Sequence, residues 1–174
     1  MNINRLLGSF LVVVLTMYLH SCAAKQREAE SPLTDVVMDR ASLLNAVQYD
    51  SIAAVIHELK QDVGSEIVVL TVSSLNGQQL EQFSFRMADS LGVGRSTHND
   101  GILITVAFAD RKARIEAGIG LENIIRDEVA AQIMREQLAP YFRKENYGRG
   151  IYLTVERIAQ LIRKNKELVG STPM

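Results

Sequence analysis

The chain has 174 residues, enough for one folded domain behind a processed amino terminus, and its 47% hydrophobic and 22% charged residues exclude a disordered protein. A formal net charge of −1, with basic residues spread along the chain, gives no electrostatic case for nucleic-acid binding. The single cysteine excludes an intrachain disulfide and a cysteine-based metal site.

Asn2 to Arg5 is a short polar start, and Leu6 to Leu19 is an apolar stretch too short and too interrupted to span a bilayer. It suits the apolar region of an export signal. The stretch ends in Leu19-His20-Ser21-Cys22, which resembles the bacterial lipoprotein cleavage box; His20 departs from it, since a smaller residue is usual there. The resemblance implies acyl chains on Cys22 and a domain anchored to a membrane of the cell envelope, outside the cytoplasm. The expected organisation is a signal peptide over 1–21, a flexible tether over 22–33, a folded domain over 34–166 and a short tail over 167–174, frayed from Val169.

Thr34 to Asp39 reads as a short strand. Ser42 is a candidate cap for a helix over about 43–63, in which Leu44, Val47, Ile52, Val55, Ile56, Leu59 and Val63 follow helical spacing and Gly64 makes the stop. Glu66 to Ser73, rich in β-branched residues, predicts a buried strand closed by the turn Asn76-Gly77. Gln78 to Leu91 carries Leu80, Phe83, Met87, Ala88 and Leu91 on one helical face.

Gly101 to Ala109 is nearly continuous in apolar character, as in a strand covered on both faces. Lys112 to Gly118 alternates instead, so one side is wetter, and Asp110-Arg111 joins the two as an antiparallel hairpin. Leu121 to Arg126 predicts a short helical turn. Asp127 is a candidate cap for a helix over 128–138, which Pro140 ends or kinks. Asn146 to Gly150 reads as a loop, and Ile151, Val155, Ile158 and Ile162 mark the last helix. Helical connections favour parallel crossovers, so the fold class is α/β: a three-layer αβα sandwich whose mixed, mainly parallel sheet carries an antiparallel hairpin.

No G-x-S-x-G elbow, Walker loop or H-E-x-x-H sequence is present. Asn123 stands where the third glycine of a dinucleotide fingerprint would follow Gly118-x-Gly120, and His57 and His98 without cysteine are a poor basis for zinc. The acidic residues suggest more. Asp39 ends the first strand, Asp100 precedes the central one with Asn99 beside it, Glu116 is on the hairpin's polar face and Glu122 follows it. Hard divalent cations take such oxygen ligands from loops, so Asp39, Asn99 and Asp100 would serve if their loops converge at one rim of the sheet. The plainer reading is turn chemistry, with Glu116 paired to Arg114 or Arg126.

These residues resemble the TPM domain family of bacterial envelope and thylakoid-lumen proteins over about 36–162. The marks are Val37-Met38-Asp39-Arg40-Ala41, the strand Glu66 to Val72, Gly92-Val-Gly94, Asn99-Asp100-Gly101-Ile102-Leu103, Asp110-Arg111-Lys112, Arg114-Ile-Glu116 and Gly118-Ile-Gly120-Leu121-Glu122. The chain lacks the glycine-rich tail and carboxy-terminal membrane helix of some relatives. The resemblance implies a compact sandwich with Ca²⁺ or Mg²⁺ in an acidic cleft. Match to the motifs makes Asp39, Asp100 and Glu116 the metal candidates, with Asn99 and Glu122 behind them. Three activities stay open: cation binding with action through an envelope protein partner, metal-assisted acid phosphatase chemistry, or a ligand-free interaction domain. Against the phosphatase stand the lack of a nucleophile motif and of a basic phosphate cradle in the sequence.

Overall fold

The computed structural model describes residues 36–171. The signal-peptide, Cys22 and tether expectations lie outside the described residues. Strands β1 (Val37–Asp39), β2 (Glu66–Val72), β3 (Gly101–Ala107) and β4 (Lys112–Ala117) form one sheet in the order β1-β2-β3-β4. The helices are α1 (Ala46–Val63), α2 (Leu80–Leu91), α3 (Asp127–Ile133), α4 (Ala139–Phe142) and α5 (Tyr147–Lys164), with a π-helical turn at Met134–Leu138 between α3 and α4. The first two strand pairs are parallel because a helix spans each crossover. The third is antiparallel because only residues 108–111 join its strands.

Strand alternation divides the core. Ile67, Val69, Ile102, Ile104, Val106 and Ile115 share one cluster with Ile52, Ile56 and Leu59 of α1 and Ile151, Val155 and Ile158 of α5. On the other face Val68, Leu70, Val72 and Leu103 pack with Leu75, Leu80, Phe83 and Met87. β2 and β3 are buried at every position, which is the reason their sequences run apolar without a break. The result is the expected αβα sandwich, with one helix on its thinner side.

Local chemistry moves several boundaries. The cap of α1 is Asn45, in a reciprocal box with Gln48, and Ser42 lies upstream in the left-handed region at φ 54°. Asp127 is the first residue of α3, behind Arg126 at the cap. The expected turn after Leu121 is present, with the Ile124 and Ile125 amides donating to the Leu121 carbonyl, and a 3-10 turn at Ile119–Leu121 leads into it.

Pro140 does not end its helix. The Ala139 N–H donates to the Met134 carbonyl five residues back, and this widened turn carries the chain past a proline that cannot donate. The last helix begins at Tyr147, so Gly148 and Gly150 sit inside it. A side chain at 148 would meet Gln48 and one at 150 would crowd Tyr141, so tertiary packing overrides the local preference of glycine for a loop. The tail is held as far as it is described: Gly170 N–H donates to the Gly120 carbonyl and the Asn123 amide to Ser171.

Candidate functional site

Of the residues expected to share a metal ion, Asp39 stands at one end of the sheet and Asn99, Asp100, Glu116 and Glu122 belong to the other. Asp39 pairs with Thr71 at the carboxyl end of β2, and Asp100 precedes Gly101, which pairs with Glu66 at the amino end. Five residues of strand separate those positions, roughly 16 Å along the sheet. Both carboxylates are engaged. Asp39 accepts hydrogen bonds from the Leu43 and Leu44 amides at 3.0 and 2.9 Å and from the Thr71 hydroxyl at 2.5 Å, fixing the entry to α1.

Asp100 is fully buried. It accepts from the Arg95 amide and Nε, each at 2.9 Å, from Arg95 Nη2 at 2.5 Å, and from Ser65 Oγ at 3.3 Å. Beside it, buried Glu66 takes Lys60 Nζ at 3.0 Å and the Gly94 amide at 2.9 Å. Together these bonds pin the loop 92–100 to the amino end of the sheet. Glu116 pairs with Arg114 at 2.6 Å, and this hydrogen bond holds the guanidinium above the usual arginine range. Asn99 is exposed at φ 48°, and Glu122 is exposed after β4. No group of three or more His, Cys, Asp or Glu side chains among the described residues could hold a metal. Asp39 and Asp100 therefore do not share one Ca²⁺ or Mg²⁺ ion. Loops at both ends of a parallel sheet cannot converge on one rim.

The glycines that flank these acids have a packing reason. A methyl at Gly120 would lie 1.8 Å from the His98 carbonyl oxygen, and one at Gly118 would lie 2.2 Å from that of Asn99. A methyl at Gly101 would lie 2.1 Å from the Val93 carbonyl oxygen. Backbones of three segments touch here, so this end of the sheet is a closed knot.

The open end is the other one. A cleft of about 850 Å³ lies between the tip of the β3–β4 hairpin, the π turn and the start of α5. That is a size that takes small ligands or a few side chains. Phe108, 43% exposed, meets Tyr147 edge-on with ring centres 5.3 Å apart, and Phe142 meets Tyr147 at 5.1 Å. These contacts tie the hairpin tip to both helix ends, each contributing about 1 kcal/mol. Met134, Leu138, Ala139 and Val106 complete the apolar lining.

Arg111, Lys112, Arg135 and Arg143 line the same cleft, against one carboxylate among the described residues, that of Glu145. All four are exposed, and none has an ion pair or side-chain hydrogen bond among the described residues. A chain of net charge −1 thus gathers four cations at one mouth. Arg111 and Glu145 also hold left-handed backbone at φ 52° and 57°, a conformation costly for side chains with a Cβ.

Sequence reasoning missed this cleft. Arg111 read as part of the hairpin turn, and Arg135 and Arg143 come more than 20 residues later, in the π turn and just after α4. The available signal was Pro140 beside aromatics in a helix that does not stop, since π turns gather at functional sites.

The TPM domain family model matches residues 37–161. Among solved structures, the chain is similar to the N-terminal domain of a P. gingivalis protein, with 29% identity and a TM-score of 0.72 over 80% of this chain and 87% of that one. It is similar in fold to the N-terminal domain of a Corynebacterium glutamicum protein, at 18% identity and TM-score 0.59, covering 83% and 88%. The BA42 protein of Bizionia argentinensis matches at 19% and 0.60, covering 70% and 82%. No curated protein matches the chain.

Proposed function

Since this chain belongs to the TPM domain family, we propose that it is a binding module of the cell envelope that works through a protein partner, held to a membrane by lipid on Cys22. The observation that carries this reading is the cleft at the carboxyl end of β3, the end of the parallel strands where open α/β sheets tend to take their ligands. Its lining offers an aromatic floor and unpaired cations, a combination suited to holding an anionic, partly apolar group. Turnover has little support there. Among the described residues the lining includes no Ser, Thr, Cys, His or Asp, and Tyr147 is packed between two rings. Asp39 and Asp100, the carboxylates named first for a divalent cation, are at opposite ends of the strands and engaged in hydrogen bonds.

Two measurements on the full chain test this. A photoreactive amino acid at position 108 should cross-link to another protein in intact cells, whereas the same group at position 85, more exposed but on α2, should not. Equal labelling from both positions, or none from 108, would remove the partner reading. Aryl phosphate supplied with Ca²⁺ or Mg²⁺ should hydrolyse no faster than in buffer. Turnover abolished by Arg143→Ala would establish a phosphatase instead.

A further inference from the structure

We infer that the cleft's occupant is an acidic peptide segment of the partner, with an aromatic or large aliphatic side chain set between carboxylates. The inference rests on the binding-module reading and names the chemistry that would satisfy it. Charge complementarity is the first argument. Four unpaired cations face one carboxylate, so an approaching anionic segment gains attraction, and its acidic groups need displace no existing ion pair. The second argument is distribution. The cations come from three places: the hairpin tip, the π turn and the end of α4. A rim supplied from separate elements matches several charges spaced along a chain. A single phosphate is held by donors that converge, commonly with backbone amides of a glycine-rich loop, and among the described residues the lining holds no glycine.

The third argument is the floor. Phe108 is partly exposed against Tyr147, which Phe142 meets in turn, an apolar seat for one anchoring side chain, and the guanidinium groups of the same lining can stack on an aromatic ring. Both features are needed. An acidic peptide without an anchor would leave the floor wet, and an apolar one would leave the rim unmatched.

The test is fluorescence anisotropy of a labelled five-residue peptide, phenylalanine flanked on each side by two glutamates, with the full chain in detergent. Binding should weaken about tenfold when the glutamates become glutamines, and by a similar factor in Arg135→Ala/Arg143→Ala. Phe108→Ala should weaken it as well, with melting temperature and amide spectrum confirming that each variant folds. Equal binding of the glutamine peptide would overturn the inference, and so would an unchanged affinity in the arginine variant. Displacement of the peptide by an aryl phosphate at lower concentration would assign the cleft to a small phosphorylated ligand, and preferential binding of anionic vesicles would assign it to a lipid surface. Either result overturns the peptide inference. Cross-linking at position 108 without peptide binding would remove this inference alone; loss of both would remove the binding-module reading too.

Discussion

Asp39 and Asp100 mark opposite ends of the parallel strands: Asp39 is level with Thr71 and Asp100 precedes the residue level with Glu66. One ion cannot bridge them. Calcium or magnesium titrated to millimolar concentration should leave the amide resonances around both residues unmoved. Concerted shifts at the two ends, saturating at one affinity, would contradict the arrangement.

Asp39 holds the entry to α1. Replacing it by alanine removes acceptors for the Leu43 and Leu44 amides and for Thr71 Oγ1. Asp39→Ala should lower unfolding free energy by about 2 kcal/mol. Urea denaturation checks this, and the cleft's affinity for an acidic peptide should not change.

Asp100 has a larger structural role. It is fully buried, and its loss strands the Arg95 guanidinium. Asp100→Ala should cost about 3 kcal/mol. Gly120→Ala, which forces a methyl against the His98 carbonyl, should cost about as much through displaced backbone. Thermal melting of both variants is the check. A destabilisation below about 0.5 kcal/mol in either would mean that the knot at this end relaxes easily.

Much of the fold was legible because it rests on local pattern. The buried runs of β2 and β3, the apolar stripes of α1, α2 and α5, and the hairpin at Asp110-Arg111 follow from periodicity and turn chemistry. The ends of elements were less legible. Gly148 and Gly150 lie inside α5 for reasons carried by Gln48 and Tyr141, which are distant or irrelevant in any local window. The site was least legible. Spacing placed five polar candidates near strand ends, but it did not distinguish the amino end of a strand from the carboxyl end. Arg111 and Arg143 meet around one cleft only after the sheet and the π turn have formed.

Glu145 couples stability to binding. It occupies left-handed backbone and is the one carboxylate of the cleft lining among the described residues. Glu145→Gly relieves the Cβ strain, partly offset by the greater freedom of glycine in the unfolded chain, for a net gain of roughly 0.5 kcal/mol. It also removes repulsion toward an acidic ligand, so affinity should rise about twofold. Denaturation and anisotropy on one preparation test both; a gain in stability without tighter binding would place Glu145 outside the recognition surface.

Cleft recognition should depend on salt. Its cations are exposed, so raising ionic strength from about 0.02 M to about 0.2 M should weaken the acidic peptide several-fold. The Arg135→Ala/Arg143→Ala variant should show a shallower dependence. An affinity indifferent to salt would mean that the aromatic floor acts alone.

The most direct measurement is an amide-resolved map of where the acidic, phenylalanine-bearing peptide binds on the isotope-labelled chain. The account predicts shifts at Phe108, Ala109, Arg111, Phe142, Arg143 and Tyr147, with Asp39 and the loop 92–100 silent. Shifts centred on Asp100 and that loop, with the aromatic cleft unmoved, would contradict it.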